Sequence, residues 1–201
     1  MPDVAHVSQA GFNDAVGQSQ QVFRTILTAL SEPGRIMSVT GAPDVQLGLD
    51  AAALAFLLTL ADGDTPVWIG GETDDALAAY LRFHTGAPIV ADPGAAQFAL
   101  IADPGRYLPL RSFDPGTEDF PDRSATVILG VKAIGDSGAF ALRGPGIPDR
   151  RQLAIAGLPQ HFAADWAENH AQFPCGVDLI LTCGTELVGL PRSIVLEMPC
   201  T

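Results

Sequence analysis

Residues 125–143 read ATVILGVKAIGDSGAFALR, and this stretch places a β-sheet at the centre of the fold. Its first ten residues, 125–134, are β-branched and aliphatic almost throughout, which predicts one long strand. The turn-forming triplet Asp-Ser-Gly at 136–138 separates that strand from a second run at 139–143. Two strands joined by such a triplet predict a β-hairpin.

Helices and shorter strands flank this hairpin in the sequence. Apolar side chains between residues 14 and 30 fall at helical spacing, and Pro33 with Gly34 ends that helix. Residues 51–60 are apolar nearly all round, which predicts a buried helix with Asp50 as its N-cap. Further helices are predicted at 73–84 and 159–171, and further strands at 35–40, 67–69, 88–90, 97–102, 177–183 and 193–198.

The alternation of helices and strands around one hairpin indicates the fold class. It predicts a single α/β domain over residues 1–201, with a mixed sheet and helices on both faces. The chain has the usual length of one domain. Residues 1–11 are expected to form a flexible tail.

The chain is strongly acidic, with a formal net charge of -12. Nucleic-acid binding and anionic-membrane binding both depend on clustered Lys and Arg, so the charge argues against either partner. Two explanations stay open: acidity that keeps the chain soluble, or acidity that faces a more basic partner subunit. No apolar run reaches the roughly 18 residues of a membrane helix, and no secretory signal is present, so a cytoplasmic protein is predicted.

The residue pattern contains no assembled catalytic or metal-binding motif. The four histidines are scattered and the three cysteines form no C-x-x-C pair, so neither a zinc site nor a redox dithiol is predicted. Cys175 lies between a proline and a glycine, which could expose its sulfur, but a reactive thiol also needs a cation or a helix N-terminus beside it. No glycine-rich phosphate-binding loop is encoded.

Lys132 is the only lysine and therefore the single candidate for Schiff-base chemistry. With the two-residue period of a strand, it shares a face with Ile128 and Gly130. A lone lysine near a strand end usually holds its amine in solvent. One alternative function, from a different functional class, is nevertheless a stand-alone enzyme that uses pyridoxal phosphate at Lys132.

Three tight turns in the second half each place a charged residue beside Pro or Gly at the end of an apolar run. They are RGPGI at 143–147, FPCGVD at 173–178 and LPRS at 190–193. Pro fixes φ and Gly permits close backbone approach, so each turn holds a side chain in a defined place. We expect the turns to meet at strand ends and to form a partner contact or a small-anion site, unless they only shape the fold. The residues expected to contribute are Arg143, Gly144, Pro145, Gly146, Phe173, Asp178 and Arg192.

Together with the helix stop LSEPG at 30–34, these turns resemble the PhnH family of the bacterial carbon–phosphorus lyase system. They occur in the order and spacing of that family, and the resemblance extends from residue 12 to residue 198. Asn169, which precedes the second turn, belongs to the same pattern. Ser193 stands where the family is expected to carry Thr, a small change because both side chains carry a hydroxyl.

The resemblance implies a three-layer α/β/α sandwich with a mixed central sheet, similar to the pyridoxal-phosphate-dependent transferases but without the cofactor or its lysine. It also implies a homodimer that joins the PhnG, PhnI and PhnJ subunits in a core complex. That system converts ATP and methylphosphonate into alpha-D-ribose 1-methylphosphonate 5-triphosphate by displacing adenine, and later cleaves the carbon–phosphorus bond. Because the resemblance assigns this chemistry to other subunits, it implies an assembly role, with no catalytic, cofactor-binding or metal-binding residue in this chain.

Overall fold

The computed structural model describes residues 11–71 and 75–197, which form ten strands and four α-helices. The helices are α1 (Ala15–Ser31), α2 (Ala51–Leu60), α3 (Asp75–Thr85) and α4 (Phe162–His170). The strands are β1 (Met37–Ser38), β2 (Val67–Ile69), β3 (Ile89–Val90), β4 (Phe98–Ile101), β5 (Thr126–Gly130), β6 (Ala133–Arg143), β7 (Arg151–Ala156), β8 (Asp178–Cys183), β9 (Glu186–Leu190) and β10 (Val195–Glu197). Four short 3₁₀ helices lie at Pro93–Ala95, Pro104–Arg106, Leu110–Ser112 and Pro121–Arg123.

The strands form two sheets, a large mixed one and a small antiparallel one. The large sheet has the order β1-β9-β8-β5-β4-β2-β3, and the small sheet has the order β10-β6-β7. Strands β3, β2, β4, β5 and β8 run parallel, whereas β9 and β1 run antiparallel to their neighbours. The predicted α/β class with a mixed central sheet is therefore confirmed.

The prediction of one long strand and a hairpin over 125–143 is wrong in detail. Strand β5 ends at Gly130 in the large sheet, and β6 begins at Ala133 in the small sheet. A Cβ at Gly130 would lie 2.5 Å from the carbonyl oxygen of Ala102, so the chain passes against a neighbouring backbone where it leaves the large sheet. That close approach is a tertiary feature that no local turn signal marks.

The Asp-Ser-Gly triplet at 136–138 lies inside β6 instead of in a hairpin turn. The pairing of β6 with β7 shifts register between Gly135 and Phe140, so the triplet occupies a bulge. The chain reverses later, at 144–150, and the hairpin consists of β6 and β7. Turn-forming residues suit a bulge as well as a turn, because both need backbone angles outside the strand region.

Side chains alternate across the large sheet and build one core on each face. Leu100, Ile128 and Ile180 face a core that contains the buried side chains of α1, α2 and α3. The alternate residues of the same strands face a second core, which contains α4 and part of the small sheet. One face is thus covered by helices, as predicted, and the other by a single helix together with strands.

The helix predictions agree with the structure within a few residues. The predicted apolar helix is α2, and its residues 52–57 are buried because α1 and the sheet enclose it. Asp50 occupies the N-cap position of α2, but its carboxylate makes no capping bond to the helix. Helix α4 begins at Phe162, three residues after the predicted Pro159. The predicted tail covers residues 1–11, of which all but Gly11 lie outside the described residues, as do the predicted helix start at Thr73 and the predicted strand end at Met198.

Candidate functional site

Two of the three predicted turns meet at the edge of the large sheet where its parallel strands begin, here called the amino edge. Asp178 is the first residue of β8, and Arg192 follows the antiparallel strand β9 that pairs with it. The segment before β5 reaches the same place through the backbone carbonyl of Pro121. Together with His170 at the end of α4, these residues form a contact that we call the Arg192 clamp (Pro121, His170, Asp178 and Arg192).

The Arg192 guanidinium lies in this clamp and donates three hydrogen bonds within the chain. Its Nη2 donates to Asp178 Oδ2 at 2.8 Å, and its Nε donates to Asp178 Oδ1 at 3.1 Å. Its Nη1 donates to the carbonyl of Pro121 at 2.6 Å, and the backbone N–H of Arg192 also reaches Asp178 Oδ1, at 2.8 Å. The two side chains are only 15% and 22% exposed, which strengthens a bidentate, charge-assisted pair. Arg192 therefore acts as an internal tie.

Helix α4 fixes the segments on both sides of the clamp. The Asn169 side chain, buried in α4, donates to the carbonyl of Val177 and accepts from its N–H, both at 2.9 Å. The Nδ1 of His170 donates to the carbonyl of Arg192 at 2.8 Å. The indole of Trp166 donates to the carbonyl of Ile194 at 2.9 Å. One helix thus holds the chain before β8 and the chain after β9, so both turns have a defined position.

The Gly-Pro-Gly turn packs against two other segments instead of joining the clamp. A Cβ at Gly146 (φ +83°) would lie 2.2 Å from the carbonyl oxygen of Ser31 at the end of α1. A Cβ at Gly144 would lie 2.7 Å from the side chain of Ile194. These approaches need glycine, because any side chain would collide with backbone or core atoms. Arg143 makes an exposed ion pair with Glu197, with 3.5 Å between Nε and Oε1.

The helix stop after α1 is held by Arg151, which sequence reasoning missed. The Nη1 of Arg151 donates to the carbonyls of Glu32 and Pro33 at 2.9 and 2.8 Å. A cation at a helix C-terminus satisfies free carbonyls and complements the helix dipole. Trp166 was also missed. Neither residue lies in a motif, and only the topology brings either of them to its partner.

Phe173 is an aromatic member of the predicted site residues, and its side chain faces solvent. It is 60% exposed, and a cis peptide bond joins it to Pro174. The following Cys175 is partly buried, and its N–H donates to the carbonyl of Gln172 at 2.9 Å. The turn therefore presents an aromatic ring outward while its backbone is fixed.

A separate cavity of about 580 Å³ opens at the opposite edge, where the parallel strands end; we call this the carboxyl edge. The segment that leads into α2 lines it, together with Ala102 after β4 and Thr185 after β8. Asp50 contributes to the wall and accepts from the Thr182 hydroxyl at 2.9 Å and the Gly184 N–H at 2.8 Å. Ligands of parallel α/β sheets bind at this edge. Of the described residues that line the cavity, none is basic, and none belongs to the predicted set.

Lys132 and Cys183 lie near this edge without forming a reactive pair. Lys132 is exposed on the two-residue link between β5 and β6, and its carbonyl accepts from the Cys183 thiol at 3.6 Å. Partial burial, followed by the charges of Asp50 and Glu186, raises the pKa of the Cys183 thiol. A raised pKa keeps the thiol protonated and weakly nucleophilic.

The described residues carry neither an evident metal site nor a membrane-spanning helix. Within 11–71 and 75–197, no group of three or more His, Cys, Asp or Glu side chains could hold a metal ion. Over the same residues, no helix combines the length and the apolar character needed to cross a bilayer.

The protein has a mixed α/β fold, and the turns that contain Asp178 and Arg192 are held by hydrogen bonds at the amino edge of its large sheet. Residues 10–197 match the family model described as bacterial phosphonate metabolism protein (PhnH). The chain is 36% identical over 196 residues to the alpha-D-ribose 1-methylphosphonate 5-triphosphate synthase subunit PhnH of Rhizobium meliloti (strain 1021), covering 96% of this chain and 97% of the relative. It is 32% identical over 181 residues to the "Putative C-P lyase subunit protein HtxG" of Stutzerimonas stutzeri, covering 90% and 87%. The chain belongs to the PhnH family.

Proposed function

We propose that this chain is a subunit of a carbon–phosphorus lyase system and is required for alkylphosphonate activation. The reaction would form alpha-D-ribose 1-methylphosphonate 5-triphosphate from ATP and methylphosphonate. Support comes from the PhnH relative, which bears the name of that synthase and matches nearly the whole chain. The second relative, named as a C-P lyase subunit, supports the same class of system.

Within that system the chain has an assembly role and does not house the chemistry. The observation that carries this proposal is the Arg192 clamp, in which the predicted Asp178 and Arg192 satisfy each other. Three of the five guanidinium N–H donors are used within the chain and the side chain is only 15% exposed, so Arg192 is poorly placed to bind a phosphonate or a triphosphate. Rigid turns with internally satisfied charges suit a surface that positions a neighbouring subunit.

The proposed partners are a second copy of this chain and the PhnG, PhnI and PhnJ subunits, in the cytoplasm. The net charge of -12 favours at least one partner with a basic surface. We further infer a three-layer α/β/α sandwich related to the pyridoxal-phosphate-dependent transferases. Helices α1, α2 and α3 on one face of the sheet and α4 on the other support that relationship.

Growth on a phosphonate tests the proposed function directly. A strain that lacks its own copy of this gene is given methylphosphonate as the sole phosphorus source, and the wild-type chain should restore growth. An Asp178→Ala, Arg192→Ala double variant that is folded by circular dichroism should restore growth poorly. Turnover of a phosphonate or of ATP by the isolated chain would overturn the assembly role.

A simple titration tests the alternative use of Lys132. The purified chain is mixed with pyridoxal phosphate, and the visible absorbance of a lysine adduct is recorded, with Lys132→Ala as the control. We expect the two proteins to give the same spectrum. A stoichiometric band that is present in the wild type and absent from the variant would favour the pyridoxal-phosphate enzyme.

A further inference from the structure

Two exposed aromatic side chains lie on loops that are tied together at the amino edge. Phe120 is 48% exposed and Phe173 is 60% exposed. The loop of Phe120 contacts the turn of Phe173 where the carbonyl of Pro115 accepts from the N–H of Gly176 at 2.8 Å. The Arg192 clamp makes a second tie, through the carbonyl of Pro121. Exposed aromatic groups held on fixed loops are typical of binding surfaces.

The loop that carries Phe120 is held by hydrogen bonds and a cation–π contact within the chain. The backbone N–H groups of Thr117 and Phe120 each donate to the other residue's carbonyl, at 3.3 and 3.1 Å. The guanidinium carbon of Arg123 lies 4.1 Å from the centroid of the Phe120 ring. A ring that is already ordered loses little conformational entropy when a partner covers it.

Exposed carboxylates are frequent on the loop that carries Phe120. The side chains of Asp114, Glu118, Asp119 and Asp122 are exposed on the same loop, which carries a single basic residue, Arg123. A recess of about 360 Å³ opens beside the loop, and Asp114, Asp122 and Arg123 contribute to its wall. We call this combined feature the aromatic–acidic surface (Phe120, Phe173, Glu118, Asp119 and Asp122).

We propose that the aromatic–acidic surface is the docking site for a basic, apolar-lined surface of another subunit of the complex. The rings supply apolar contact area, and the exposed carboxylates match Lys and Arg side chains of the partner. A second copy of this chain suits the surface less well, because it would place carboxylates against carboxylates. This inference rests on the proposed function and adds the face through which the chain assembles.

Co-purification of the assembled complex tests the surface. The full-length chain is co-expressed with the other subunits of its system, and the affinity tag is placed on one of those subunits. The amount of this chain recovered is compared for the wild type, a Phe120→Ala, Phe173→Ala double variant and the control Phe83→Ala. Phe83 on α3 is also exposed, at 66%, so its variant removes an equally exposed ring elsewhere. We expect about ten-fold less of the double variant, and no change for the control.

A charge-reversal variant covers the case in which the double variant does not fold. Glu118→Lys, Asp119→Lys changes only exposed side chains and should also reduce recovery, with a loss that depends on salt. If the wild type itself recovers no partner subunit, the proposed function fails. If the wild type assembles and the folded variants assemble equally well, the docking surface is wrong. If the double variant instead loses self-association in the absence of other subunits, the surface is a dimer contact and the inference is overturned.

Discussion

The two edges of the large sheet differ in how their polar groups are used. At the amino edge, Asp178 and Arg192 pair with each other and hold together the turns that carry them. At the carboxyl edge, a cavity of about 580 Å³ separates the end of β4 from the segment before α2. Parallel α/β sheets bind their ligands at the carboxyl edge. The predicted turns that contain Asp178 and Arg192 lie at the other edge.

This separation explains why the recognisable motifs carry no evident chemistry. Residues that tie loops must be satisfied within the chain, whereas residues that bind substrate must leave donors or acceptors free. The clamp meets the first condition, and the aromatic–acidic surface lies directly beside it. We therefore interpret the amino edge as the part of the chain that supports assembly with other subunits. Substitutions made at one edge at a time test this interpretation.

The largest effect is expected from Asp178→Ala. The change leaves the guanidinium of Arg192 mostly buried with only one carbonyl partner, and it removes the acceptor of the Arg192 backbone N–H. Breaking a largely buried ion pair lowers the free energy of unfolding by about 3–4 kcal/mol. Urea denaturation measures the loss. The control is Arg143→Ala, whose ion pair with Glu197 is exposed and should contribute less than about 1 kcal/mol. Equal effects of the two changes would mean that the clamp is not the stabilising tie.

The next largest effect is expected from Gly146→Ala. The new Cβ would lie 2.2 Å from the carbonyl oxygen of Ser31, at a φ of +83° that disfavours alanine. We expect a loss of about 2–3 kcal/mol, because strain and collision both contribute. Gly48→Ala is the matched control, since φ is +68° there and nothing lies within 4 Å of the added Cβ. That control should cost about 1 kcal/mol. The difference in thermal stability between the two variants measures the collision, and similar values would show that the turn is not tightly packed.

Asp50→Ala should have a smaller effect, at the carboxyl edge. The variant loses the hydrogen bonds to the Thr182 hydroxyl and the Gly184 N–H, worth about 1–2 kcal/mol in the free energy of unfolding. Because Asp50 is not part of the clamp, recovery of the chain with its partner subunits should not change. The measurements are urea denaturation and the same co-purification. A loss of assembly in the folded variant would place a partner contact at the carboxyl edge as well.

The sequence predicts elements well where one residue pattern has only one structural solution. The run AAALAFLLTL is rich in Ala and Leu and long enough to favour a buried helix over a strand, and α2 spans those ten residues. The break between Gly130 and Ala133 could not be predicted, because both flanking runs are strand-like and the contact with Ala102 is set by the fold. Proline and glycine mark the turns at 32–34, 144–147 and 173–176 correctly, whereas Gly138 lies in a bulge of β6 instead of a turn. Which charged side chains meet depends on topology, so Arg151 and the pairing of Asp178 with Arg192 appear only in the structure.

The smallest predicted effect concerns Tyr107, which follows β4 at the carboxyl edge. Its hydroxyl donates to the buried Asp165 carboxylate of α4, which also accepts from the N–H of Leu110 at 2.9 Å. Burial raises the pKa of Tyr107 above its ordinary value of 10.0, and the hydrogen bond and charge of Asp165 raise it further. The unfolded chain therefore loses this proton first, so the stabilisation is complete below about pH 10 and declines as the pH rises beyond it.

Tyr107→Phe should lower the free energy of unfolding by about 1 kcal/mol at neutral pH, since one hydrogen bond is lost. The gap between variant and wild type should close above about pH 10, as measured by urea denaturation at several pH values. Tyr80→Phe is the control, because Tyr80 is the only other tyrosine and its pKa is raised by burial without a contribution from Asp165. Tyr80→Phe leaves Tyr107 in place, so the part of the stability loss above about pH 10 that comes from Tyr107 should remain. A gap that widens with pH would show that Asp165 does not hold the Tyr107 proton.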